Sequence, residues 1–194
     1  MDNSVSRLTG RQSLLRPGHP FSPAELGAMA LDGLTRPVAH DLFMPASAVI
    51  DARTRARAMA LRIPTEFRQR VVVGRLSAAW VHGHGPEPLR TVLLVDRGHR
   101  AAGLRRRLRA DFHEVGLGSY DLLSLGGLLV TTPLRTAVDI AGTLRADLAV
   151  PVLRSMLEDP GPGFSWRLLR LAVEHTVPPG RIGAALEKVD ACLG

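Results

Sequence analysis

The chain has 194 residues, a formal net charge of +7 and 45% hydrophobic residues, so it is long enough to build a domain with its own core. This composition excludes pervasive disorder, and no apolar run reaches the ~20 residues that a membrane-spanning helix needs. The polar N-terminus lacks the apolar stretch of a signal peptide, so we expect a cytoplasmic protein. A single cysteine, Cys192, excludes an internal disulfide and a thiolate metal cluster.

The first elements are a tail, a helix and an extended stretch. Residues 1–20 are predicted to form a flexible tail, because glycine and proline interrupt every periodic pattern there. Ser22 followed by Pro23 predicts the start of a helix, with the serine as its N-cap, that runs to Leu31. The stretch 34–46 is short and extended, as in a small hairpin or wing.

A second helix is predicted over 52–63, because alanine, methionine and isoleucine side chains share one face while the arginines leave it. Pro64 is expected to end this helix, since the residue before a proline disfavours helical geometry.

The middle of the chain predicts a small mixed β-sheet. A short helix over 77–81, with Ser77 as its cap, is expected to follow the first strand. Gly126 and Gly127 predict a tight turn between the last two strands. The predicted strands are 71–73, 91–95 (apolar enough to be central), 112–115, 121–125 and 128–131.

The last third predicts helices. Thr132 followed by Pro133 repeats the pattern of a cap and a first-turn proline. Apolar residues then recur with the helical period in four stretches, which begin near Leu134, Leu148, Trp166 and Ile182. We expect this layer to cover the sheet. The predicted class is α+β, with a short N-terminal helical segment, a small mixed β-sheet and a C-terminal layer of about four helices.

The positive charge lies in the first two thirds of the chain. Residues 1–133 carry the whole excess, whereas residues 134–194 are neutral. One run holds six arginines and no acid: Arg97, Arg100, Arg105, Arg106, Arg107 and Arg109. Such a run repels itself unless an anion is near, and the arginine fork pairs with phosphates, so we predict DNA as its partner. The alternative is a solvated basic loop in a chain with 24 Arg and one Lys.

No motif indicates catalysis, a metal site or a cofactor. The acids nearest the predicted strands are Asp96, Asp111 and Glu114. A restriction-like nuclease needs a lysine close to such acids, and Lys188 lies far along the chain on the last helix. The sequence holds neither a Gly-x-Ser-x-Gly nucleophile motif nor a phosphate-cradling glycine loop. His82 and His84 lack further ligands at zinc spacing.

His82 and Arg135 invite both a structural and a functional interpretation. His82 closes a short helix, and we favour a structural role, with its ring hydrogen-bonded at the helix end, over a functional one. Arg135 and Asp139 stand four apart on a helix and can pair along one face. We favour a buried tie between this helix and the preceding strand over a binding role for Arg135.

Three segments in this order carry a family resemblance. They are Ser77-Ala78-Ala79-Trp80-Val81-His82-Gly83, the strand 91–95 with its arginines, and Val130-Thr131-Thr132-Pro133-Leu134-Arg135-Thr136-Ala137-Val138-Asp139. They resemble actinobacterial relatives of AbiEi, the antitoxin and autorepressor of a toxin–antitoxin system of abortive phage infection. The resemblance covers roughly residues 21–194. Its motif residues are Trp80, His82, Gly83, Thr132, Pro133, Arg135 and Asp139.

The resemblance implies the organisation of the chain. The N-terminal region of the family is typically a winged helix, and one clear helix precedes the extended stretch here, so its recognition helix is expected to be shortened or missing. We therefore expect a tail over 1–20, a reduced winged-helix-like module over 21–64 and an AbiEi-like α/β domain over 65–194. Many relatives add an endonuclease-like domain similar to very-short-patch repair nucleases. This chain ends at Gly194, about where that domain begins, so the resemblance implies no nuclease activity.

The expected function is a non-enzymatic DNA-binding regulator that resembles an antitoxin and autorepressor. The alternative is a protein-interaction module that binds a nucleotidyltransferase-like toxin, the second partner in such systems, without specific DNA binding. Cleavage of nucleic acid is a third hypothesis, kept because relatives are fused to nucleases.

Overall fold

The computed structural model describes residues 14–18, 20–97, 103, 106–161 and 163–193. It confirms an α+β protein, in which these residues form a two-stranded hairpin, a five-stranded mixed sheet and seven α-helices, four of them after the sheet. No helix in the described ranges is long and apolar enough to cross a membrane.

The N-terminal helix and hairpin form as the sequence predicts. Helix α1 (Pro23–Leu31) begins at Ser22, whose hydroxyl accepts from the N–H of Glu25 while the Glu25 carboxylate accepts from the N–H of Ser22, 2.7 Å away. Strands β1 (Thr35–Ala39) and β2 (Leu42–Pro45) then pair as an antiparallel hairpin.

The described end of the predicted tail is held by this hairpin. Leu15 and Phe43 exchange two backbone hydrogen bonds, with N···O distances of 2.8 and 2.9 Å. Helix α2 (Ala52–Ala60) follows and ends three residues before the predicted position 63. Pro64 explains the early end, since it disfavours α geometry at Ile63, and the last residues switch to i→i−3 bonds such as Ile63 N–H to Ala60 O.

The five-stranded sheet consists of β3 (Val72–Val73), β4 (Thr91–Asp96), β5 (Ala110–Val115), β6 (Leu122–Leu125) and β7 (Leu128–Thr131). Their order is β5-β4-β3-β7-β6, with β4–β5 and β3–β7 parallel and the other two pairs antiparallel. The strand predicted to be central, β4, lies inside the sheet. The predicted tight turn is confirmed, because Gly126 and Gly127 have φ values of +57° and +86° between β6 and β7.

The prediction that Ser77 caps the helix after β3 is wrong. Helix α3 (Arg75–His82) begins two residues earlier, with Gly74 at the N-cap position. Ser77 is fully buried inside the helix, where its hydroxyl accepts from the backbone N–H of Val92 in β4 over 2.8 Å. The hydroxyl of Ser77 therefore bonds to a neighbouring strand, whereas the sequence predicted a bond to the first turn of its own helix.

Four helices complete the chain: α4 (Pro133–Thr143), α5 (Ala146–Glu158), α6 (Trp166–Thr176) and α7 (Pro179–Asp190). Thr132 caps α4 as predicted, since its hydroxyl accepts from the N–H of Arg135.

The buried residues form two cores. The first joins the hairpin, α2, one sheet face and the Trp80 side of α3, so the parts predicted on either side of residue 64 share a core. The second is built from α4 to α7 and the Ala79 side of α3. The C-terminal layer therefore packs mainly on α3 rather than directly covering the sheet as expected, because α3 lies between the two cores and contributes side chains to both.

Candidate nucleic-acid interface

The predicted arginine run spans both ends of the β4–β5 pair. The two strands run parallel in a register from Thr91↔Ala110 to Asp96↔Val115. Arg97 therefore follows the carboxyl end of β4, whereas Arg109 precedes the amino end of β5. At about 3.3 Å per residue along six-residue strands, the two positions lie about 20 Å apart. The run is not one continuous patch.

Three of the six arginines stand together in the described chain. Arg106, Arg107 and Arg109 are exposed, whereas Leu108 between them is buried at 8% exposure and packs in the first core. We call residues 106–109 the basic segment. The leucine anchors its backbone to the domain and leaves the three guanidinium groups in solvent. Arg100 and Arg105 lie outside the described residues.

The basic segment differs from its arginine neighbours in its ion pairing. Arg62 pairs with Glu87, and Arg90 Nε lies 3.0 Å from a carboxylate oxygen of Asp111 across the strand pair. Among the described residues, no carboxylate pairs with any arginine of the basic segment. Within the described ranges, no ion pair therefore neutralises their charge at this end of the sheet.

A cavity of about 490 Å³ borders the basic segment. Its lining includes Arg109 and Leu108 together with His40, Arg62 and Glu87. Glu87 also accepts from the backbone N–H of His40 over 2.7 Å, which fixes the carboxylate in the wall. The opening therefore combines Arg109, which has no ion pair with a described residue, with Arg62, which is paired with Glu87.

Helix α1 brings no cation to this surface. It contains Glu25 and neither lysine nor arginine, and Leu26 is its one buried residue. As far as the structure describes the chain before the hairpin, α1 is also the one helix there, and the reduced winged-helix-like module stays a prediction. A helix of this composition offers no arginine forks for reading base edges.

The family-motif residues meet where α3, β7 and α4 join. Trp80 is buried in the first core, and Gly83 ends α3 with a φ of +104°. Thr131 Oγ1 and Thr136 Oγ1 lie 2.6 Å apart, which links the end of β7 to α4. Pro133 occupies the first position of α4. The packing between α3, β7 and α4 therefore explains why these residue types occur at the motif positions.

His82 has the structural hydrogen bond that the sequence predicted at this helix end. Its Nε2 donates to the carbonyl oxygen of Thr131 over 2.7 Å, so the last residue of α3 holds the last residue of β7. Burial lowers the pKa of His82 below its ordinary value, and the carbonyl of Thr131 opposes this effect only in part. The ring is therefore neutral at neutral pH.

Arg135 forms a buried tie, but its partners differ from the predicted one. Its Nη1 donates to Asp121 over 2.6 Å, its Nε to Asp139 over 3.0 Å and its Nη2 to the carbonyl of Gly116 over 3.1 Å. The side chain is 10% exposed. Each guanidinium nitrogen thus has a protein partner, and the tie reaches the loop before β6 rather than the preceding strand itself.

His84 ties α3 to α5 instead of joining His82 in a metal site. It is buried, with Nδ1 3.0 Å from the hydroxyl of Ser155 and Nε2 3.4 Å from a carboxylate oxygen of Asp159. Burial lowers its pKa, and nearby Asp159 counteracts that shift. Across the described ranges, no three His, Cys, Asp or Glu side chains converge in a way that could hold a metal ion.

Comparison with known proteins identified no relative of this chain. The sequence matches no family model, and no curated protein is significantly similar to it. The likeness to AbiEi antitoxins therefore stays a prediction that rests on the motif residues.

Two residues near the β4–β5 pair, Leu108 and Arg75, do not stand out in the sequence as site residues. Leu108 lies within the run of arginines. An apolar residue in such a charged run indicates a buried position that anchors the backbone to the core. Arg75 gave no signal, because its unusual φ of +51° is a property of the folded backbone.

Proposed function

We propose that the protein is a non-enzymatic, DNA-binding regulator, comparable to the antitoxins that its motifs resemble. One observation carries the proposal: the basic segment presents three exposed arginines, none of them paired with a described carboxylate, on a backbone that the buried Leu108 anchors. Arginines held in this way lose little backbone freedom when they meet a phosphate, because Leu108 already fixes the chain that carries them, and the cost of binding is limited to their side chains.

The chemistry favours contacts with the DNA backbone. Each arginine that neutralises a phosphate releases condensed counterions, and its fork can bind two phosphate oxygens at once. Such contacts position a protein on DNA without reading its sequence. Since α1 has no cationic side chain, we expect the preference for a particular sequence to be modest.

Fluorescence anisotropy across a salt series tests this proposal. A labelled duplex from upstream of the protein's own coding sequence is compared with a random duplex of equal length. We expect binding to both, with log affinity falling by about 0.9 per phosphate neutralised as log salt rises. Absence of binding to both duplexes at low salt would refute the proposal.

A second function, binding of a nucleotidyltransferase-like toxin, is favoured by the surface of the helical layer. Leu168 and Leu171 of α6 are 44% and 55% exposed, and Leu148 of α5 is 51% exposed, in the part of the chain that carries no net charge. Exposed apolar side chains in a neutral surface are typical of protein interfaces.

Co-expression with the product of the adjacent reading frame tests this second function. A stable complex is expected to co-purify, and replacing Leu168 and Leu171 by aspartate should abolish it while leaving the salt dependence of DNA binding unchanged. Failure of the wild-type chain to retain that product would exclude the second function and leave the first untouched.

A further inference from the structure

A second cavity lies at the other end of the β4–β5 pair. It has a volume of about 370 Å³ and opens between the carboxyl ends of these strands, the start of α3, α4 and the loop from α6 to α7. Four arginines line it, Arg75, Arg97, Arg135 and Arg181, together with two acids, Glu114 and Asp139. Its size falls within the range of small-molecule sites.

Three of these arginines form no ion pair with a described residue, although Asp139 attracts Arg75 from a longer distance. Arg135 is already bonded to Asp121, Asp139 and Gly116. Among the described residues, no ion pair involves Arg75, Arg97 or Arg181. The two acids of the lining, Glu114 and Asp139, do not balance its four arginines, so the cavity holds an excess of positive charge.

Two of the arginines lie at the N-terminal ends of helices, where the positive end of the helix dipole is unfavourable for a cation. Arg75 is the first residue of α3, and Arg181 lies in the first turn of α7. Neither helix has a side-chain cap, so its first N–H groups add a positive potential to these guanidinium groups. Cations at a helix start are unfavourable unless an anion offsets them.

Arg75 is also held in a left-handed conformation. Its φ is +51°, the one positive value among the described residues other than glycine. Gly74 before it sits against Leu94, where a Cβ would overlap the leucine side chain. Strained backbone of this kind persists where the surrounding structure imposes it, and it concentrates at binding sites.

Two buried polar atoms at this cavity complete the pattern. Arg75 Nε and Asp139 Oδ2 are both inaccessible, and neither has a hydrogen-bond partner in the described part of the chain. One is a donor and the other an acceptor. A ligand with an oxyanion and a neighbouring hydroxyl group would satisfy both once the two side chains turn to expose these atoms to the cavity.

We propose that this cavity binds a small phosphate ester, with Arg75, Arg97 and Arg181 holding the phosphate and Asp139 accepting from a hydroxyl of the ligand. Several guanidinium groups around one cavity suit a dianion with three free oxygens. The cavity is larger than an inorganic phosphate ion, so it has room for the rest of the ester. The site is separate from the basic segment and does not depend on DNA binding.

Isothermal titration calorimetry with ribose 5-phosphate, inorganic phosphate and ribose tests the proposal. We expect both phosphate compounds to bind, the ester more tightly, and ribose not to bind. Arg75→Asn keeps a residue that tolerates positive φ, and Arg181→Gln changes an exposed side chain. Each should weaken the affinity about tenfold through the loss of a charge-assisted hydrogen bond.

The control is Arg167→Gln, which removes an exposed arginine outside the cavity and should leave the affinity unchanged. If Arg75→Asn fails to fold, Arg97→Gln replaces it, since Arg97 is exposed after the end of β4. Absence of binding of both phosphate compounds at millimolar concentration, or unchanged affinity in Arg181→Gln and Arg97→Gln, would overturn the proposal. Equal affinity for the ester and for phosphate would overturn the contact with Asp139.

Discussion

The guanidinium of Arg135 donates to the carboxylate of Asp121 over 2.6 Å, although the two residues stand 14 positions apart. The same side chain reaches Asp139 one helical turn later and the carbonyl of Gly116. One arginine therefore fastens the start of α4 to the loop between β5 and β6. This contact gives a structural reason for the motif segment 130–139: its arginine and aspartate are needed for packing.

Replacing Arg135 by methionine should destabilise the protein strongly. The variant leaves Asp139, which is 12% exposed, without its closest cation, and breaking a buried pair in this way costs about 3 kcal/mol. Urea unfolding measures the loss of free energy. Arg145→Met is the matched control, because Arg145 is 83% exposed in its pair with Asp147 and should have no measurable effect. Equal stability losses in the two variants would contradict the structural role of Arg135.

The stability of the protein should fall as the pH is lowered below the ordinary pKa of histidine. Burial lowers the pKa of His82 in the folded state, so the unfolded chain takes up a proton first as the pH falls below about 6.5. The stabilisation from the neutral ring is thus complete above that pH and is lost below it. His84, whose pKa is also lowered by burial, contributes in the same direction.

His82→Gln tests this assignment. The glutamine amide can still donate to Thr131, but it does not titrate, so the variant should lose less stability than the wild type between about pH 7 and about pH 5. Urea midpoints at both pH values give the comparison. The remaining pH dependence is expected to come in part from His84. An unchanged pH dependence would show that His82 does not titrate as its burial indicates.

The two glycines between β6 and β7 should respond differently to substitution by alanine. Both have positive φ, which is strained for alanine. A Cβ at Gly126 would also come within 2.7 Å of the backbone nitrogen of Arg57 in α2, whereas a Cβ at Gly127 meets nothing within 4 Å. We expect a loss of about 1 kcal/mol for Gly127→Ala and at least twice that for Gly126→Ala. Thermal unfolding that ranks the two variants in the opposite order would refute the packing of this turn on α2.

Local sequence signals predicted the element boundaries where the responsible contacts are themselves local. Ser22 and Thr132 bond to residues three positions ahead, and both caps form as expected. Ser77 has the same chemistry but bonds to Val92 of a neighbouring strand. The pairing of β3 with β4 decides its role, and no local pattern carries that information.

The sequence predicted the positive charge of the candidate interface but not the positions of its arginines in the fold. The run of arginines is visible in the sequence, yet its ends lie at opposite ends of β4 and β5 because these strands are parallel. Pairing is also set by distant residues: Glu87 neutralises Arg62, which lies 25 positions away. The sequence shows how many cations the chain has, and the fold decides which of them remain free.

The most direct test of the central claim is the salt dependence of DNA binding in a variant that lacks the basic segment. Arg106, Arg107 and Arg109 are replaced together by alanine, and the control replaces Arg145, Arg154 and Arg167, three exposed arginines of the neutral helical layer. Both variants lose the same charge. Fluorescence anisotropy should show weaker binding and a salt slope that is smaller by up to about 2.7 in the first variant, and wild-type values in the control. Wild-type affinity and slope in the first variant, or an equal loss in the control, would contradict the claim.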